Sequence, residues 1–349
     1  MQHRTTRRRR VAAGAAAVGL LATTAWFARA ETWPCGRLDR GDACVGSTRL
    51  DVAALGLDPG TARADFRSFD LGPGARTALV GLTGRSGERH RTVLALFDTR
   101  TGDPIRILRD LAGGSLTDTP DAQSAVDGAA LSPDGTRAVS WAWGTGTNGV
   151  AENDLRVQDT ADARVVKVLS QGTPRGERPC SATVGLSPDN TEVQCAGTVT
   201  ELGSGATRSL WDGDRPLTPR YAGFAGGFFA IAADGTRVEG GQLVRPGEQP
   251  AALLPRVTIT DEGVGAWAFS PDSRRLLDAH AAYPENRGTR RFTPAPLRTL
   301  GVIGVWDVRT AALDRTLTLN ERFDQVAWAR DSGHFAIVTR DLDLRVFAV

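Results

Sequence analysis

Lysine is almost missing from this chain: Lys167 is the only one, and arginine supplies nearly all of the 42 basic residues. That imbalance reflects GC-rich coding and is not chemistry, but other shortages exclude whole function classes. Histidine occurs four times, at His3, His90, His280 and His334, each isolated in sequence. His-x-x-Glu-His, Gly-x-Ser-x-Gly, Walker-loop and Cys-x-x-Cys-His patterns are all missing. Their absence removes the usual signatures of zinc peptidases, serine hydrolases, P-loop nucleotidases and c-type cytochromes. The "GLTGRSG" run at 81–87 has glycines but no strand-to-helix setting, so it does not read as a phosphate loop. No catalytic residue and no cofactor are assigned.

A long apolar run is lacking except at Val11–Phe27, where "RTTRRRR" precedes it and "ARA" follows before Glu31. A basic head, an apolar middle and an Ala-x-Ala site predict a secretory signal over 1–30, cleaved after Ala30. At 17 residues the run also reaches the short edge of a bilayer span of about 17–25 residues. An uncleaved anchor at 11–27 is therefore the alternative, and would be the chain's only tie to a membrane. Either way the remainder is expected outside the cytoplasm, periplasmic or extracellular. The segment holds six of the 42 basic residues and none of the 40 acidic ones, which leaves 36 against 40, a net charge of −4. A nucleic-acid-binding domain carries a basic stripe in its folded part, so no nucleic-acid partner is expected.

Only four cysteines occur, Cys35, Cys44, Cys180 and Cys195. An even number in an exported chain points to disulfides, with three connectivities open. The local pairs Cys35–Cys44 and Cys180–Cys195 are favoured over buried thiols, and over zinc because the spacings do not match short ligand pairs.

What the chain does have is a phrase written three times: "ALSPDGTRAVSW" from Ala130, "GLSPDNTEVQCAG" from Gly185 and "AFSPDSRRLLDA" from Ala268. Proline at the second turn position fixes φ, aspartate bonds local backbone and glycine accepts positive φ. Flanked by period-two alternation, each copy predicts a β-hairpin. Weaker copies at "DLGPGARTALVG", "AIAADGTRVEG" and "AWARDSGHFAIV" make six hairpins, near 72, 132, 187, 232, 270 and 329. If Leu186 faces Thr191, Cys195 falls opposite Ala182 and Cys180 becomes its diagonal neighbour, about 7–8 Å away. That distance is at the long end of disulfide geometry.

A second phrase runs in step: "LFDT" (96–99), "VQDT" (157–160), "LWDG" (210–213), "VWDV" (305–308) and a degenerate "VFAV" (346–349). A polar turn and another alternating strand follow several of them, as in "TGDPIRIL", "ADARVVKVL" and "RTAALDRTLTL". Each unit is thus four strands, the blade of a β-propeller.

"SPDG" together with "VWDV" resembles the WD-repeat β-propeller family, in degenerate form, over roughly Asp51 to Val349. The Gly-His pair typical of that family's outer-strand loop is missing, and 213–305 offers one hairpin with no second phrase. The resemblance implies an all-β fold: a single propeller of four-stranded blades, seven (or six) in number, with any seventh hidden in Arg220–Pro255. "STRLDVAAL" (Ser47–Leu55) is expected to add the missing strand of the last blade, so that N- and C-terminal strands close the ring. The organisation reads as a signal or anchor at 1–30, a cysteine-containing segment at 31–46 and the propeller at 47–349.

Tight turns occupy one face of such a ring, and the long segments fall on the other: 83–91, 113–127, 141–154, 198–208 and 282–300. Loops on a rigid scaffold are where binding concentrates. Tyr283, Arg287, Arg290, Arg291, Phe292 and Arg298 in the last segment, with Arg89, are candidate partner contacts, since arginine and aromatics dominate interface hot spots. Trp141 and Trp143 are candidates too, with packing between blades as their alternative role. The chain is therefore expected to be a binding or scaffolding module for a protein of the cell envelope or a secreted partner. A metal-dependent hydrolase or lactonase with Asp127, Asp261, Glu262 and Asp324 at the channel mouth is the alternative.

Overall fold

In the computed structural model the chain is described over residues 44–115, 125–146, 151–171, 184–187, 189–195, 198–209, 211–212, 215–216, 229–232, 234–239, 242–252, 266–282, 300–319, 323–339 and 341–349. The expected signal segment lies outside them. Their regular structure is β-strand apart from two single turns of 3₁₀ helix, at Ala53–Leu55 and Pro73–Ala75. Among the described residues no helix is long and apolar enough to cross a membrane.

The chain runs β1 (Cys44–Arg49), then β2 (Arg63–Leu71), β3 (Thr77–Ser86), β4 (Arg89–Asp98) and β5 (Pro104–Ser115), then β6 (Ala125–Leu131), β7 (Arg137–Gly146), β8 (Ala151–Asp159) and β9 (Val165–Gln171). Short strands follow: β10 (Val184–Leu186), β11 (Glu192–Cys195), β12 (Thr198–Glu201), β13 (Thr207–Ser209), and a two-stranded ribbon of β14 (Trp211–Asp212) and β15 (Arg215–Pro216). After β16 (Phe229–Ile231), β17 (Arg237–Glu239), β18 (Gln242–Val244) and β19 (Ala251–Ala252) come β20 (Ala266–Phe269), β21 (Arg275–Ala282), β22 (Leu300–Asp307) and β23 (Ala312–Leu319). The last three strands are β24 (Phe323–Trp328), β25 (His334–Thr339) and β26 (Asp343–Ala348).

These strands form a propeller-like ring of five blades, which corrects the expected seven or six. All six hairpins are present, but the first two units are not separate blades. A short ladder, Leu111↔Gly146 and Ala112↔Thr145, joins β5 to β7 and makes β2 to β9 one double-width sheet, blade I. The cause is strand length: β5 and β7 run to 12 and 10 residues and outreach their own blades. Blade II is β10–β13, blade III β16–β19, blade IV β20–β23, and blade V β24–β26 with β1 at its edge. First strands pack beside first strands around the ring, in the successions β16, β20, β24 and β24, β2, β6, β10. Within Arg220–Pro255, where any seventh blade is expected, the described residues hold blade III and no second meander.

The six reversals share one design. Gly135, Asn190, Ser273 and Ser332 each donate their N–H to the carbonyl three residues back, at 2.8–3.0 Å, and each has positive φ. Ala75 and Gly235 hold the same place, at φ 50° and 85°. In the three Ser-Pro-Asp copies the serine hydroxyl donates to the aspartate two residues on at 2.6 Å and accepts the N–H five residues on at 2.9 Å. This six-residue reversal shifts the register expected for the cysteines. Leu186 faces Val193, not Thr191, so Cys195 lies opposite Val184 and not Ala182.

The second phrase docks on the first. Thr99 N donates to Arg76 O, Thr160 N to Thr136 O and Val308 N to Arg274 O, at 2.9–3.1 Å, tying the two turns of one unit together. In blade II that role falls to Leu202, whose N–H reaches Thr191 O at 2.7 Å. The expected "LWDG" copy is therefore corrected: Trp211 and Asp212 lie in the ribbon, because blade II has strands of only three or four residues. The stretch 198–208 is likewise β12, a tight turn and β13, on the turn face and not the loop face.

β1 clasps the ring, pairing antiparallel with β26 from Cys44↔Phe347 to Arg49↔Asp343. It starts three residues before the expected propeller boundary at 47 and ends before Leu55. Residues 50–62 instead form a strap in the seam between blades V and I. There Leu50, Val52, Leu55, Leu57 and Ala62 pack with Val80, Leu82 and Phe97 of blade I and Ala336, Val338 and Leu344 of blade V. Full burial of a side chain of this size contributes about 1.5–3 kcal/mol, so the strap is a substantial part of that seam. Apolar clusters also fill the seams between blades I and II, III and IV, and IV and V, and a further one joins the two halves of blade I.

Candidate functional site

The loop face is best described at blade I, where two hairpins rise past the ring. β3 and β4 stay paired over ten residues, from Thr77↔Asp98 to Ser86↔Arg89. Gly87, at φ 62°, takes the first of two turn positions, where glycine suits a two-residue hairpin. The expected 83–91 loop is thus a regular hairpin tip. β7 and β8 pair out to Thr145↔Ala151, and the β5–β7 ladder ties the two hairpins into a single plateau.

The strap and a set of ion pairs stiffen this plateau. Asp58 N donates to Arg85 O at 2.7 Å, and Arg85 N donates to Thr61 Oγ1 at 3.0 Å. Arg91 donates through Nε and a terminal nitrogen to the two Asp110 oxygens, both at 2.7 Å, and through its other terminal nitrogen to Leu55 O. The hydrogen bonds and charge of Asp110 raise the Arg91 pKa against the effect of burial. A bidentate guanidinium–carboxylate pair fixes orientation as well as charge. Deeper in, Arg109 of β5 lies 2.9 Å from Asp154 of β8, both nearly inaccessible, and Arg156 meets the other oxygen at 2.7 Å. These groups knit the two halves of blade I; sequence reasoning passed over them because residues 109 and 154 become neighbours only when the units pack.

The sequence-derived candidates fall in different places. Arg89 is exposed at the hairpin tip, and exposed Arg85, which the sequence did not single out, lies one register step away. Trp141 is 1 % exposed in the seam between blades I and II, with Val139, Leu155, Val157 and Leu186, which is the packing role weighed for it. Trp143 belongs to β7 opposite Asn153, its side chain outside the description. Tyr283, Arg287, Arg290, Arg291, Phe292 and Arg298 lie outside the described residues, between β21 and β22 in sequence. Neither Cys44 nor Cys195 is a free thiol, and Cys35 and Cys180 lie outside the description.

Of the acids considered for a metal, Asp127 sits within β6 and Asp324 within β24, both first strands, while Asp261 and Glu262 are outside the described residues. Among the described residues no group of three or more His, Cys, Asp or Glu is placed to hold a metal ion. The repeated aspartates are spent on their turns. Hydrogen bonds from Ser187 and Thr191 bring Asp189 down to about 2. Burial works the other way at Asp134 and Asp272, but the turn hydrogen bonds prevail and their pKa values are lowered too. No family model and no curated protein matches the chain.

Proposed function

We propose that this protein is a binding module exported from the cytoplasm, which holds a protein partner of the cell envelope, or a secreted one, against the loop face of its propeller. The observation that carries this reading is the welded plateau of blade I, which presents Arg85 and Arg89 to solvent on a support fixed by Arg91–Asp110 and Arg109–Asp154. Arginine on a rigid support loses little freedom on binding and forms directional hydrogen bonds. The 283–299 segment, with its four arginines and two aromatics, joins the same face in this proposal. Kinship with WD repeats belongs to the reading as well, supported by the Ser-Pro-Asp turns and by Asp98, Asp159 and Asp307, each of which caps the backbone after its third strand.

In the same reading residues 1–30 direct export, and Cys35–Cys44 and Cys180–Cys195 are the disulfides. Intact mass with and without reductant reads cleavage after Ala30 and the number of disulfides together. The function is tested by crosslinking in cells with the full chain, with Arg85→Ala/Arg89→Ala and with 283–299 deleted. A partner captured by the full chain and lost in both variants is expected. Undiminished capture by both would remove the loop face from the account.

A further inference from the structure

The hairpin tip of blade I has its main chain engaged on both flanks. Arg63↔Thr83 joins β3 to β2, and Arg89↔Ser115 joins β4 to β5. Beyond Thr83 the strap takes over: Thr61 Oγ1 accepts Arg85 N, and Asp58 N donates to Arg85 O. Adding a partner as a further strand needs an open row of main-chain groups, and here that row is already used. Recognition at this end of the blade is left to side chains.

Those side chains are basic and share one side of the sheet. Arg63 of β2, Thr83 of β3 and Thr92 of β4 stand in one row, with Arg85 and His90 in the next row on the same side. The hydroxyls of Thr83 and Thr92 lie 3.4 Å apart on that side, while Leu82 and Val93 pack with the strap on the other. Arg63 and Arg85 are diagonal neighbours, about 7–8 Å apart. Both are exposed, and Thr83 and His90 are half-buried beside them. Arg63 donates to Ala62 O at 2.6 Å and to Gly60 O at 3.5 Å, neutral acceptors that leave its charge uncancelled. Arg91 is spent on Asp110, but among the described residues no carboxylate pairs with Arg63, Arg85 or Arg89. Asp58 and Glu88, both exposed, are the acids nearest the tip, and Asp58 Oδ1 accepts Gly60 N.

We infer that Arg63 and Arg85, flanked by His90, form a docking site for an acidic segment of the partner protein, with one carboxylate held by each guanidinium. The proposal rests on the loop-face reading and narrows the chemistry of what binds there. Carboxylates on alternate residues of an extended chain are about 7 Å apart, which matches the two arginines. Each guanidinium holds a carboxylate through two parallel N–H bonds, and His90 offers a ring N–H beside Arg85. Asp58 and Glu88 at the same tip oppose a uniformly anionic surface such as a membrane of acidic lipids. So does the excess of acid over base in residues 31–349, 40 against 36. A protein segment, with acids spaced along it, meets the arginines without facing those two carboxylates.

The probe is a synthetic peptide of alternating glutamate and serine, titrated into the full chain at low ionic strength. Saturable binding that weakens as salt is added is expected. Arg63→Gln/Arg85→Gln is expected to weaken it about tenfold, with melting little changed. Arg100→Gln/Arg106→Gln, at exposed arginines toward the turn end of blade I, is expected to bind as the wild type does. A peptide that does not bind, or binds the Arg63/Arg85 variant equally well, overturns the site. So do phosphatidylglycerol vesicles that bind as tightly as the peptide through the same two arginines. Crosslinking in cells with Arg63→Glu/Arg85→Glu separates this site from the reading beneath it. A partner lost when 283–299 is deleted but kept by the charge-reversed chain overturns the docking site and leaves the loop-face function. Peptide binding by a chain that captures no partner in cells does the reverse.

Discussion

Arg330, in the first turn of blade V, binds the Asp70 carboxylate of blade I and the Leu131 carbonyl at 2.7 Å, while Leu131 N donates to that same carboxylate at 2.8 Å. Three successive units meet at this group, and both side chains are mostly buried. Burial raises the Asp70 pKa despite Arg330 and the amides of Leu131 and Leu71. Arg330→Met takes away the cation and leaves the acid in place, at an expected loss of about 3 kcal/mol. The variant's Asp70 pKa rises further, so its loss is greater at pH 7 than at pH 4. Denaturant titration at the two pH values measures this, and Asp70→Asn in the same background is expected to restore part of the stability.

The clasp depends on Gly102. Its φ is 78°, its carbonyl accepts Asp51 N at 2.9 Å, and a Cβ there would stand 2.0 Å from Arg49 O. Backbone cannot yield as a side-chain tip does, so Gly102→Ala is expected to cost about 2 kcal/mol or more, combining positive-φ strain with displacement of β1. Limited proteolysis is expected to cut the variant first within 44–62. Unchanged melting and cleavage would show that β1 does not hold the ring.

Neighbouring reversals are laced together by the residue at positive φ. Asn190 Nδ2 donates to Asp134 at 2.8 Å, Ser332 Oγ accepts Asp272 N at 3.0 Å, and a Cβ on Gly135 would approach Pro73 Cδ to 2.9 Å. Asn190→Gly relaxes the backbone and removes the lace, so a net change within about 0.5 kcal/mol is expected. Gly135→Ala adds strain and a clash, and about 1–2 kcal/mol of destabilisation is expected. Thermal melts of the two variants side by side distinguish lacing from simple turn propensity.

Acid should loosen the turn face. The Asp307 pKa is lowered by Thr310, and Asp134, Asp189 and Asp272 are lowered as described. Groups with depressed folded values stabilise above their ordinary pKa and lose that contribution as pH falls through the folded one. The melting temperature is expected to drop between about pH 4 and pH 2. Asp189→Asn, which cannot be protonated in this range, is expected to soften the drop.

Much of the architecture is written locally. Ser132, Pro133, Asp134 and Gly135 carry their turn within four residues, so every hairpin centre could be read from the chain, as could the clasp of β1 on β26. The blade count could not. It rests on Leu111 meeting Gly146, a pairing between units set by how far β5 and β7 overrun their own sheets, and no short motif encodes an overrun. Blade II misled for the opposite reason: "LWDG" keeps the right spacing from its turn, yet the short β11 and β12 bring Leu202 to the docking position first. At the candidate site, Arg89 was legible as a loop arginine, whereas Arg109 and Asp154 are apart in sequence and met only through folding.

Ring closure by β1 and β26 joins stretches of chain about 300 residues apart, and bringing such ends together costs on the order of 5 kcal/mol of chain entropy. The first strand described must therefore stay without its partner while every blade between is made. Assembly ends at this junction, and under a mechanical pull or a passing protease the same junction is where the circle gives way.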